Sequence, residues 1–332
     1  MSTIEEVAKE AGVSVATVSR VINGNARVSS EATERVNAAI NKFHYRPNAW
    51  GRSLRRKESR MILVFIPNIT NPYYSSIVSG IEDTARRSDY TTMLCITNSD
   101  KAKEKEYTEL LKSGRADGAV FLSTDKNDVA LSKLARSFPV VQCCEYCSDE
   151  SILHVSIDNY KSAHQVVKYM ISLNHRKIGF IGSSNQYIST ELRQKGYLAA
   201  LKEAGIQQDS RYMSFAADDY NFLSGVRAAH ELLCLQDRPT VIFCISDVIA
   251  LGALRAAQEM GLRIPEDLSV IGFDDVEYAS MFKPMLTTIS QPGYSLGKVS
   301  ASLLLKQIAG EEKGGNVFLE HKIILRDSSA AI

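Results

Sequence analysis

The chain has 332 residues, of which 45% are hydrophobic and 23% charged, and its net charge at pH 7 is +1. This composition excludes a disordered chain, and the length predicts two or three folding units. The charge is uneven: residues 1–60 carry eleven Lys or Arg against six Asp or Glu, whereas residues 61–332 carry 28 against 32. A basic first segment indicates a surface that binds a polyanion.

Residues 3–45 contain three short helical patterns. The first opens on a capping box, TIEE, and Gly12 supplies its left-handed stop. Ser14 is the predicted N-cap of the second pattern, VATVSRV, which an Asn-Gly pair ends. The third begins at Ser29 or Ser30 and ends at the His-Tyr pair that follows its last apolar residue. The predicted core positions of the third helix are Ala32, Val36, Ala39, Ile40 and Phe43.

The very short break between the first two patterns is typical of a helix-turn-helix, whose second helix lies in the major groove of DNA. Arg20 is suited to a bidentate contact with guanine, and Val15 and Ala16 are suited to contact with a thymine methyl group. The side chains suited to phosphate, which position a helix without specifying sequence, are Ser14, Thr17 and Asn23. The sequence therefore predicts an all-α DNA-binding head.

A fourth, very short helical pattern joins this head to the rest of the chain. Pro47 ends the third pattern, and Asn48 can cap a helix over residues 49–56. A helix this short is marginal alone, and Gly51 weakens it by about 1 kcal/mol relative to alanine. We therefore expect it to fold only against DNA and a dimer partner. The basic residues concentrated around it are Lys42, Arg46, Arg52, Arg55, Arg56, Lys57 and Arg60.

From Met61 onward, short apolar runs alternate with amphipathic helical stretches. Unbroken apolar runs indicate parallel strands covered by helices on both faces. The runs are MILVFI, TTMLCI, GAVFL, VVQCC, HVSI, KIGFI, YMSFA, TVIFCI and LSVIGF, with a last candidate in LEHKIIL. The first nine fall into two series, 61–158 and 177–274, which predicts two doubly wound subdomains. Several runs end in polar turns, where open parallel sheets bind ligands, so a small-molecule cleft is expected between the subdomains.

The head resembles the lactose-repressor (LacI/GalR) family of transcriptional regulators. The residues that carry the resemblance are TIEEVAKEAGVSVATVSRVINGNARVSSEATERV followed by HYRPNAWGRSLRR. It continues through ILVFIPNITNPYYSSIVSGIE, VSIDNYKSA, NHRKIGFIGSS, CISDVIALGAL, IPEDLSVIGFDD and LTTISQP, phrases most similar to the cytidine-repressor branch. The resemblance implies a sequence-specific DNA-binding repressor whose operator affinity is controlled allosterically by a small molecule.

The resemblance also implies a domain plan. A helix-turn-helix domain at 1–46 is followed by a hinge helix and linker at 47–60 and by an effector-binding and dimerisation domain at 61–332. The last has two subdomains of the periplasmic-binding-protein-like type I kind, about 61–160 and 161–290, with the C-terminal segment crossing back. This α/β body with an all-α helix-turn-helix head is the fold class that we predict.

In this family the hinge helices of a homodimer enter the minor groove as a pair and insert a leucine into a central CpG step. By position that leucine is Leu54, with Arg55 beside it. Insertion costs a few kcal/mol of unstacking, which wider contact with bent DNA offsets. The resemblance thus implies a homodimer on a pseudo-palindromic operator with a central CpG. The implied DNA contacts are Ser14, Val15, Ala16, Thr17, Arg20, Asn23, Tyr45, Arg52, Leu54 and Arg55.

Matched positions also suggest which residues line the effector cleft. They are Tyr73, Tyr74, Ser123, Glu145, Tyr187, Ser189, Arg193, Tyr220, Asp247 and Asp274. Arg193 and Asp274 offer a donor and an acceptor to a polyhydroxylated ligand, and tyrosines can stack on a sugar or a base. Either a nucleoside or a sugar would suit. A surface ion pair for the first two, and plain core packing for the tyrosines, are the alternatives.

The remaining motifs argue against other functions. The six cysteines are typical of reduced thiols, and Cys144-Glu-Tyr-Cys147 lacks the second pair that a zinc site needs, so no metal and no cofactor is predicted. No nucleophile elbow, zinc-protease or complete phosphate-loop motif indicates an enzyme, and no catalytic residue is proposed. With no leader or membrane-span pattern, a cytoplasmic location is expected. Control by a partner protein, or DNA binding independent of any ligand, remain alternative functions.

Overall fold

The computed structural model of the chain divides into two units, Met1–Ser59, the head, and Arg60–Ile332, the body. Within the described residues, no helix combines the length and apolar character that crossing a bilayer requires. The described residues are 3–22, 28–45, 58–217, 220–311 and 315–332.

The head contains the three predicted helices, α1 (Ile4–Ala11), α2 (Val15–Ile22) and α3 (Ser30–Phe43). The capping box of α1 is present: Thr3 Oγ1 accepts from the Glu6 N–H, and the Glu6 carboxylate accepts from the Thr3 N–H at 2.8 Å. Each cap satisfies a backbone N–H that has no partner inside its helix. The predicted start of α1 is therefore confirmed by the groups that produce it, whereas the predicted Asn23-Gly24 stop of the second helix lies outside the described residues.

Three further signals of the head are also as expected. Gly12 ends α1 in the left-handed region, with φ of 62°. The Ser14 hydroxyl accepts from the backbone N–H of Thr17 at 3.2 Å. Ser29, the N-cap of α3, accepts from the N–H of Ala32.

The core of the head is small because three short helices enclose little volume. Its buried residues are Val7, Ala8, Ala11, Val18, Val36 and Ala39. Ile40 and Phe43, predicted to be buried, are only half-buried and pack at the edge of this cluster. Lys42 of α3 pairs with Glu10 of α1 at 2.7 Å across the surface.

The first lobe of the body is a six-stranded sheet in the order β11–β5–β4–β3–β1–β2, with every neighbouring pair parallel. Its strands are β1 (Met61–Ile66), β2 (Thr91–Ile96), β3 (Gly118–Phe121), β4 (Val140–Cys143), β5 (His154–Ile157) and β11 (Val317–Leu319). Its helices are α4 (Tyr73–Arg87), α5 (Lys101–Lys112), α6 (Val129–Ala135) and α12 (Gly293–Ile308).

The second lobe has a four-stranded parallel sheet in the order β7–β6–β8–β9 and an antiparallel pair, β10–β12. Its strands are β6 (Ile178–Ser183), β7 (Met213–Ala216), β8 (Val241–Cys244), β9 (Ser269–Ile271), β10 (Thr288–Ser290) and β12 (Lys322–Ile324). Its helices are α7 (Asn159–Ser172), α8 (Ile188–Glu203), α9 (Phe222–Leu233), α10 (Asp247–Glu259) and the short α11 (Tyr278–Met281). All nine apolar runs of the two predicted series form strands.

The chain passes between the lobes three times, after β5, after β10 and after β11. The last strand candidate, LEHKIIL, contains β12, which begins at Lys322 beside β10, while Leu319 at its start is the end of β11 in the first sheet. Only two residues, 320–321, connect these two strands, and the chain crosses between the lobes there.

Gly80 and Gly297 let α12 pack closely on α4, because a Cβ at Gly297 would lie 2.0 Å from the Ile77 carbonyl oxygen.

Candidate functional site

In the head, α2 has one buried and one exposed face. Val18 is fully buried and holds the helix on the core. Val15, Ala16 and Arg20, the predicted base contacts, are exposed, as is Ser14 at the start of the helix. Thr17, a predicted phosphate contact, is half-buried, and its Oγ1 lies 2.9 Å from Ser14 Oγ. The head therefore presents these side chains to solvent on a fixed support.

Of the remaining predicted DNA contacts, only Tyr45 lies within the described residues. Tyr45 follows α3, is half-buried and packs against the head core. Asn23, Arg52, Leu54 and Arg55 lie outside the described residues, as does the predicted hinge segment at 49–56.

In the body, polar side chains from both lobes meet in one inner cavity at the carboxyl ends of the two parallel sheets. The cavity has a volume of about 20 Å³ and is lined by Asn71, Tyr73, Tyr74, Cys144, Glu145, Asn159, Arg193, Tyr220, Ser246, Asp274 and Gln291. That is room for roughly one water molecule. An outer groove of about 620 Å³ adjoins it, sharing Asn71 and Tyr220 and adding Asn98 and Ser99.

Arg193 of α8 is the central cation of the cavity. Its Nε donates to Asn159 Oδ1 at 2.8 Å, and its Nη1 donates to the Ile245 carbonyl oxygen at 2.6 Å. The guanidinium lies over the Phe273 ring, 3.6 Å from the ring centroid. Its Nη1 is 3.9 Å from Asp274 Oδ1, and both side chains are about 95% buried. The predicted pair is therefore internal, and the alternative of a surface ion pair is excluded.

Asp274, which follows β9, is a carboxyl with unusual titration. Burial raises its pKa to about 7, while Arg193 and a hydrogen bond from Gln291 act in the opposite direction. The Gln291 Nε2 donates to Asp274 Oδ1 at 2.7 Å. Burial raises the pKa of the neighbouring Asp247 as well, and the charge of Asp274 adds to that rise. Near neutral pH these two carboxyls therefore share a site that resists holding two negative charges.

Glu145 connects the lobes. It follows β4 of the first lobe, and its carboxylate accepts from the hydroxyl and from the backbone N–H of Ser189, near the start of α8 in the second lobe. Burial raises the pKa of Glu145, and the bonds from Ser189 and the charge of Arg193 lower it. The carboxylate is thus held where a helix N-terminus favours negative charge.

Four tyrosines surround this polar centre. The hydroxyl of Tyr73 lies 3.0 Å from Gln291 Oε1, and the Tyr73 and Tyr74 ring centroids are 5.6 Å apart. The Tyr220 hydroxyl lies 2.8 Å from Thr190 Oγ1. Tyr187 stacks on Tyr220 with centroids 6.5 Å apart, and burial raises its pKa to about 12. The rings supply flat apolar surface beside the charged groups.

Six of the ten predicted cleft residues line the inner cavity: Tyr73, Tyr74, Glu145, Arg193, Tyr220 and Asp274. Ser189 and Tyr187 lie one contact away, through Glu145 and Tyr220. Asp247 is fully buried behind the cavity, where its carboxylate accepts from the Val276 N–H and the Thr288 hydroxyl. Ser123 follows β3, is half-buried and does not border the cavity.

Five lining residues were missed by sequence reasoning, although each had a signal. Asn159 and Ser246 lie in polar turns that follow predicted strands. Asn71 and Gln291 fall within phrases of the family resemblance, and Cys144 lies in the Cys-x-x-Cys motif. Backbone conformation marks the site too: Cys144, Tyr220 and Asp274 have φ of 73°, 54° and 120°. Non-glycine residues with positive φ cluster at functional sites.

No group of three His, Cys, Asp or Glu side chains able to hold a metal ion occurs among the described residues. The cysteines within the described residues are free thiols.

Comparison with known proteins gives the same assignment at both ends of the chain. Residues 3–48 match the model of the bacterial regulatory proteins, lacI family, and residues 59–326 match that of the periplasmic binding proteins and sugar binding domain of the LacI family. The repressor CytR of Escherichia coli K12 is 36% identical over 333 residues, covering 100% of this chain and 97% of CytR. Catabolite control protein A of Priestia megaterium is also 36% identical, over 98% and 99% of the two chains.

Among solved structures, the lac repressor dimer bound to operator and the anti-inducer ONPF is similar, with a TM-score of 0.89 and 29% identity over 99% of each chain. Its fold combines a helical DNA-binding head with a two-lobed α/β body. The family models cover nearly the whole of this sequence, and the relatives are transcriptional regulators. The chain belongs to the LacI family of bacterial regulatory proteins.

Proposed function

We propose that the protein is a transcriptional repressor whose affinity for operator DNA is changed by a nucleoside or a sugar bound between the two lobes of the body. The observation that carries the proposal is the convergence of polar side chains from both lobes on one buried cavity. Arg193 and Asp274 contribute from the second lobe and Tyr73 from the first. A ligand in this position contacts both lobes and is therefore sensitive to their arrangement.

The chemistry of the cavity fits a hydroxyl-rich ligand with a flat face. Arg193 supplies donors held in a fixed plane by Phe273, and Asp274 and Glu145 supply acceptors. A sugar ring or a base can stack on the tyrosines. The proposed ligand contacts are Tyr73, Tyr74, Glu145, Ser189, Arg193, Tyr220 and Asp274. Tyr187, which stacks on Tyr220, and the buried Asp247 would support them from behind, whereas Ser123, outside the cavity lining, is not in this set.

The small size of the cavity would couple ligand binding to a change in the conformation of the body. Pockets for small ligands usually have volumes of about 300–1,000 Å³, whereas the inner cavity has about 20 Å³. A nucleoside can enter only if side chains move or the lobes separate, for example by opening the contact between Glu145 and Ser189. A ligand that prefers the rearranged body shifts the equilibrium between conformations, typically by 1–3 kcal/mol.

We further propose a homodimer on a pseudo-palindrome with a central CpG, contacted by the hinge segment at 47–60 and Leu54. A contiguous apolar groove on the second lobe suits the contact between copies, since large exposed apolar patches mark protein interfaces. The groove has a volume of about 490 Å³, and its lining includes Phe222, Leu251, Tyr278 and Phe282. Phe282 is 65% exposed in the single chain.

The dimer is tested by Phe282→Asp. A charge in a buried contact between copies is costly, so we expect sedimentation to show a monomer and operator affinity to fall at least tenfold. The matched control is Phe215→Asp, because Phe215 is 50% exposed but does not line the groove. An unchanged dimer in the Phe282 variant would assign the groove to another partner.

Ligand control is tested by thermal-shift screening of nucleosides and sugars, followed by operator titrations with each ligand that stabilises the protein. A ligand that binds only the folded state raises the melting temperature. Trp50, the only tryptophan, lies in the predicted hinge and provides a fluorescence signal. A protein that binds its operator yet responds to no ligand in either assay would favour control by a partner protein or ligand-independent binding.

A further inference from the structure

Two neighbouring cysteines place their sulfur atoms together beside the inner cavity. Cys143 is the last residue of β4, and Cys144 follows it. Consecutive side chains of a strand point to opposite faces. Cys144 departs from the strand with φ of 73°, and its Sγ lies 3.6 Å from the Sγ of Cys143. The irregular backbone thus produces a vicinal dithiol.

The surroundings of the pair are protected but connected to the cavity. Cys143 is fully buried, and Cys144 is 6% exposed and lines the inner cavity. The hydroxyl of Tyr73 lies 3.0 Å from Cys144 Sγ. Cys147, the other half of the Cys-x-x-Cys motif, instead places its Sγ 3.9 Å from Gln142 Oε1. The sulfur pair is therefore Cys143 with Cys144, not Cys144 with Cys147.

The separation of the sulfurs favours a bridging atom over a disulfide. Adjacent Cα atoms lie about 3.8 Å apart, whereas the two Cα atoms of a disulfide usually lie about 4.4–6.8 Å apart, so a disulfide between chain neighbours is strained. Bonds of about 2.3 Å from sulfur to one central atom separate two sulfurs by about 3.8 Å at a tetrahedral angle and by about 4.6 Å when linear. The observed 3.6 Å fits bent coordination.

The number of available ligands and the protonation of the thiols limit which kind of atom the two sulfurs can bind. The described residues hold no group of three His, Cys, Asp or Glu side chains suited to a metal, so a tetrahedral zinc ion would lack ligands. Trivalent arsenic with one further substituent needs only two sulfurs. Burial and the nearby Cys143 raise the pKa of the Cys144 thiol, which favours its neutral form. A site that forms a neutral product from neutral thiols avoids burying a charge.

We propose that Cys143 and Cys144 form a binding site for trivalent arsenicals in the floor of the inner cavity. An arsenical with two hydroxyl groups condenses with the two thiols: two As–S bonds form, two As–O and two S–H bonds break, and two water molecules leave. Arsenic stays trivalent and no electron is transferred. Entry requires the cavity to open. Competition with an effector would follow, and that consequence alone rests on the proposed function.

The test is intact-mass analysis of the full-length native protein incubated with phenylarsine oxide. The wild type should retain one arsenical, which excess ethanedithiol removes. Cys143→Ser and Cys144→Ser should each lose it, because a single sulfur gives no chelate. Cys147→Ser and Cys234→Ser are the matched controls and should retain it. Thermal melting establishes that each variant is folded, and Cys→Ala versions replace any serine variant that is not.

Three results would overturn the proposal. The wild type could take up no arsenical, both single variants could retain it, or Cys147→Ser could lose it as Cys144→Ser does. Rapid conversion of the native pair to a disulfide by mild peroxide would also contradict the geometric argument. The assay contains neither DNA nor effector. A failure of effector control therefore leaves this result standing, and a failure here leaves effector control untouched.

Discussion

The head and the body hold their candidate functional residues in opposite environments. In the head, Arg20 and its neighbours on α2 lie in solvent, and the helix is held from behind by the buried Val18. In the body, Arg193 and Asp274 are about 95% buried and bonded to groups from distant parts of the chain. An exposed side chain can be removed without disturbing the fold, whereas a buried polar side chain leaves unpaired partners behind.

This contrast teaches that substitutions in the two units must be interpreted differently. A loss of DNA binding on changing α2 reports on the contact itself. A loss of response on changing the cavity combines a lost ligand contact with a changed body, so it needs a stability measurement beside it.

The largest effect is expected for Arg193→Ala. The change removes hydrogen bonds to Asn159 and Ile245 and the charge facing Asp274, so the body should lose on the order of 3–5 kcal/mol of unfolding free energy. The ligand response should disappear while operator affinity without ligand stays within a few-fold. Denaturant unfolding and operator titration measure the two effects.

Lys202→Ala, an exposed change on the same helix, is the control and should alter neither quantity. If the Arg193→Ala variant still responded to the ligand with the wild-type midpoint in the operator titration, a different face of the body would bind the ligand.

The second effect concerns the pH dependence of stability, which Asp274→Asn should change. The pKa of Asp274 is about 7 in the folded body and near 4 when unfolded, so the folded state binds the proton more tightly. Proton binding by Asp274 therefore adds to the unfolding free energy. This stabilisation is complete below pH 4 and is lost as the pH rises to 7, by at most about 1.4 kcal/mol per pH unit. The asparagine keeps an oxygen for the Gln291 bond but cannot titrate.

The measurement is the difference in unfolding free energy between wild type and variant across that window. The difference is needed because His154, whose pKa burial lowers to about 4, makes stability rise with pH over much of the same range. A difference that is constant between pH 4 and 7 would show that Asp274 titrates normally.

The predictions for Arg193 and Asp274 depend on contacts that could not be predicted from the sequence. The nine apolar runs predicted the strands, because burial on both faces of a sheet leaves a local pattern. The meeting of Tyr73 with Gln291, 218 positions away, depends on the chain crossing between lobes, which no local pattern encodes. Asp247 was expected in the cleft because it matches a position that lines the cleft in the resembled family, yet bonds to Val276 and Thr288 turn it inward.

The head was more predictable because its determinants are local. Thr3, Gly12, Ser14 and Ser29 each mark a helix boundary within a few residues, and each acts as expected. Cys144 is the opposite case: its positive φ places its sulfur beside Cys143, and nothing in the letters indicates that conformation.

The third effect is on base recognition. Arg20→Ala should cost about 1–3 kcal/mol of operator binding and relax the preference at one base pair, with little change in stability, because the side chain is exposed. Changes at Arg52 or Lys57, basic residues of the predicted hinge region, should weaken all sequences alike. Binding to a library of operator variants provides the comparison, and an equal loss across the library for Arg20→Ala would refute base contact.

The fourth effect is on the stability of the head. Thr3→Ala removes the side-chain half of the capping box and should cost about 1 kcal/mol. Thr33→Ala is the matched control, because its hydroxyl donates to the backbone carbonyl of Ser29, the N-cap of α3, at 3.0 Å and so does not accept from a helix N–H through that bond. Thermal unfolding of the head measures both, and equal stability of the two variants would mean that the cap contributes nothing.

The smallest effect should come from the body's own exposed contact between lobes. Lys126 follows β3 in the first lobe, and its Nζ lies 2.6 Å from the carboxylate of Glu191 on α8. The side chains are 41% and 33% exposed, and exposed pairs contribute at most about 1 kcal/mol. If exposure rather than location sets the size of an effect, Lys126→Met should change ligand affinity by only a few-fold, and high salt should erase the change. A double-mutant cycle with Glu191→Gln isolates the pair from the neighbouring bond between Glu191 and Lys195. A coupling energy as large as the loss from Arg193→Ala would break the contrast between buried and exposed sites, since it would show that the lobes are held together at their rim.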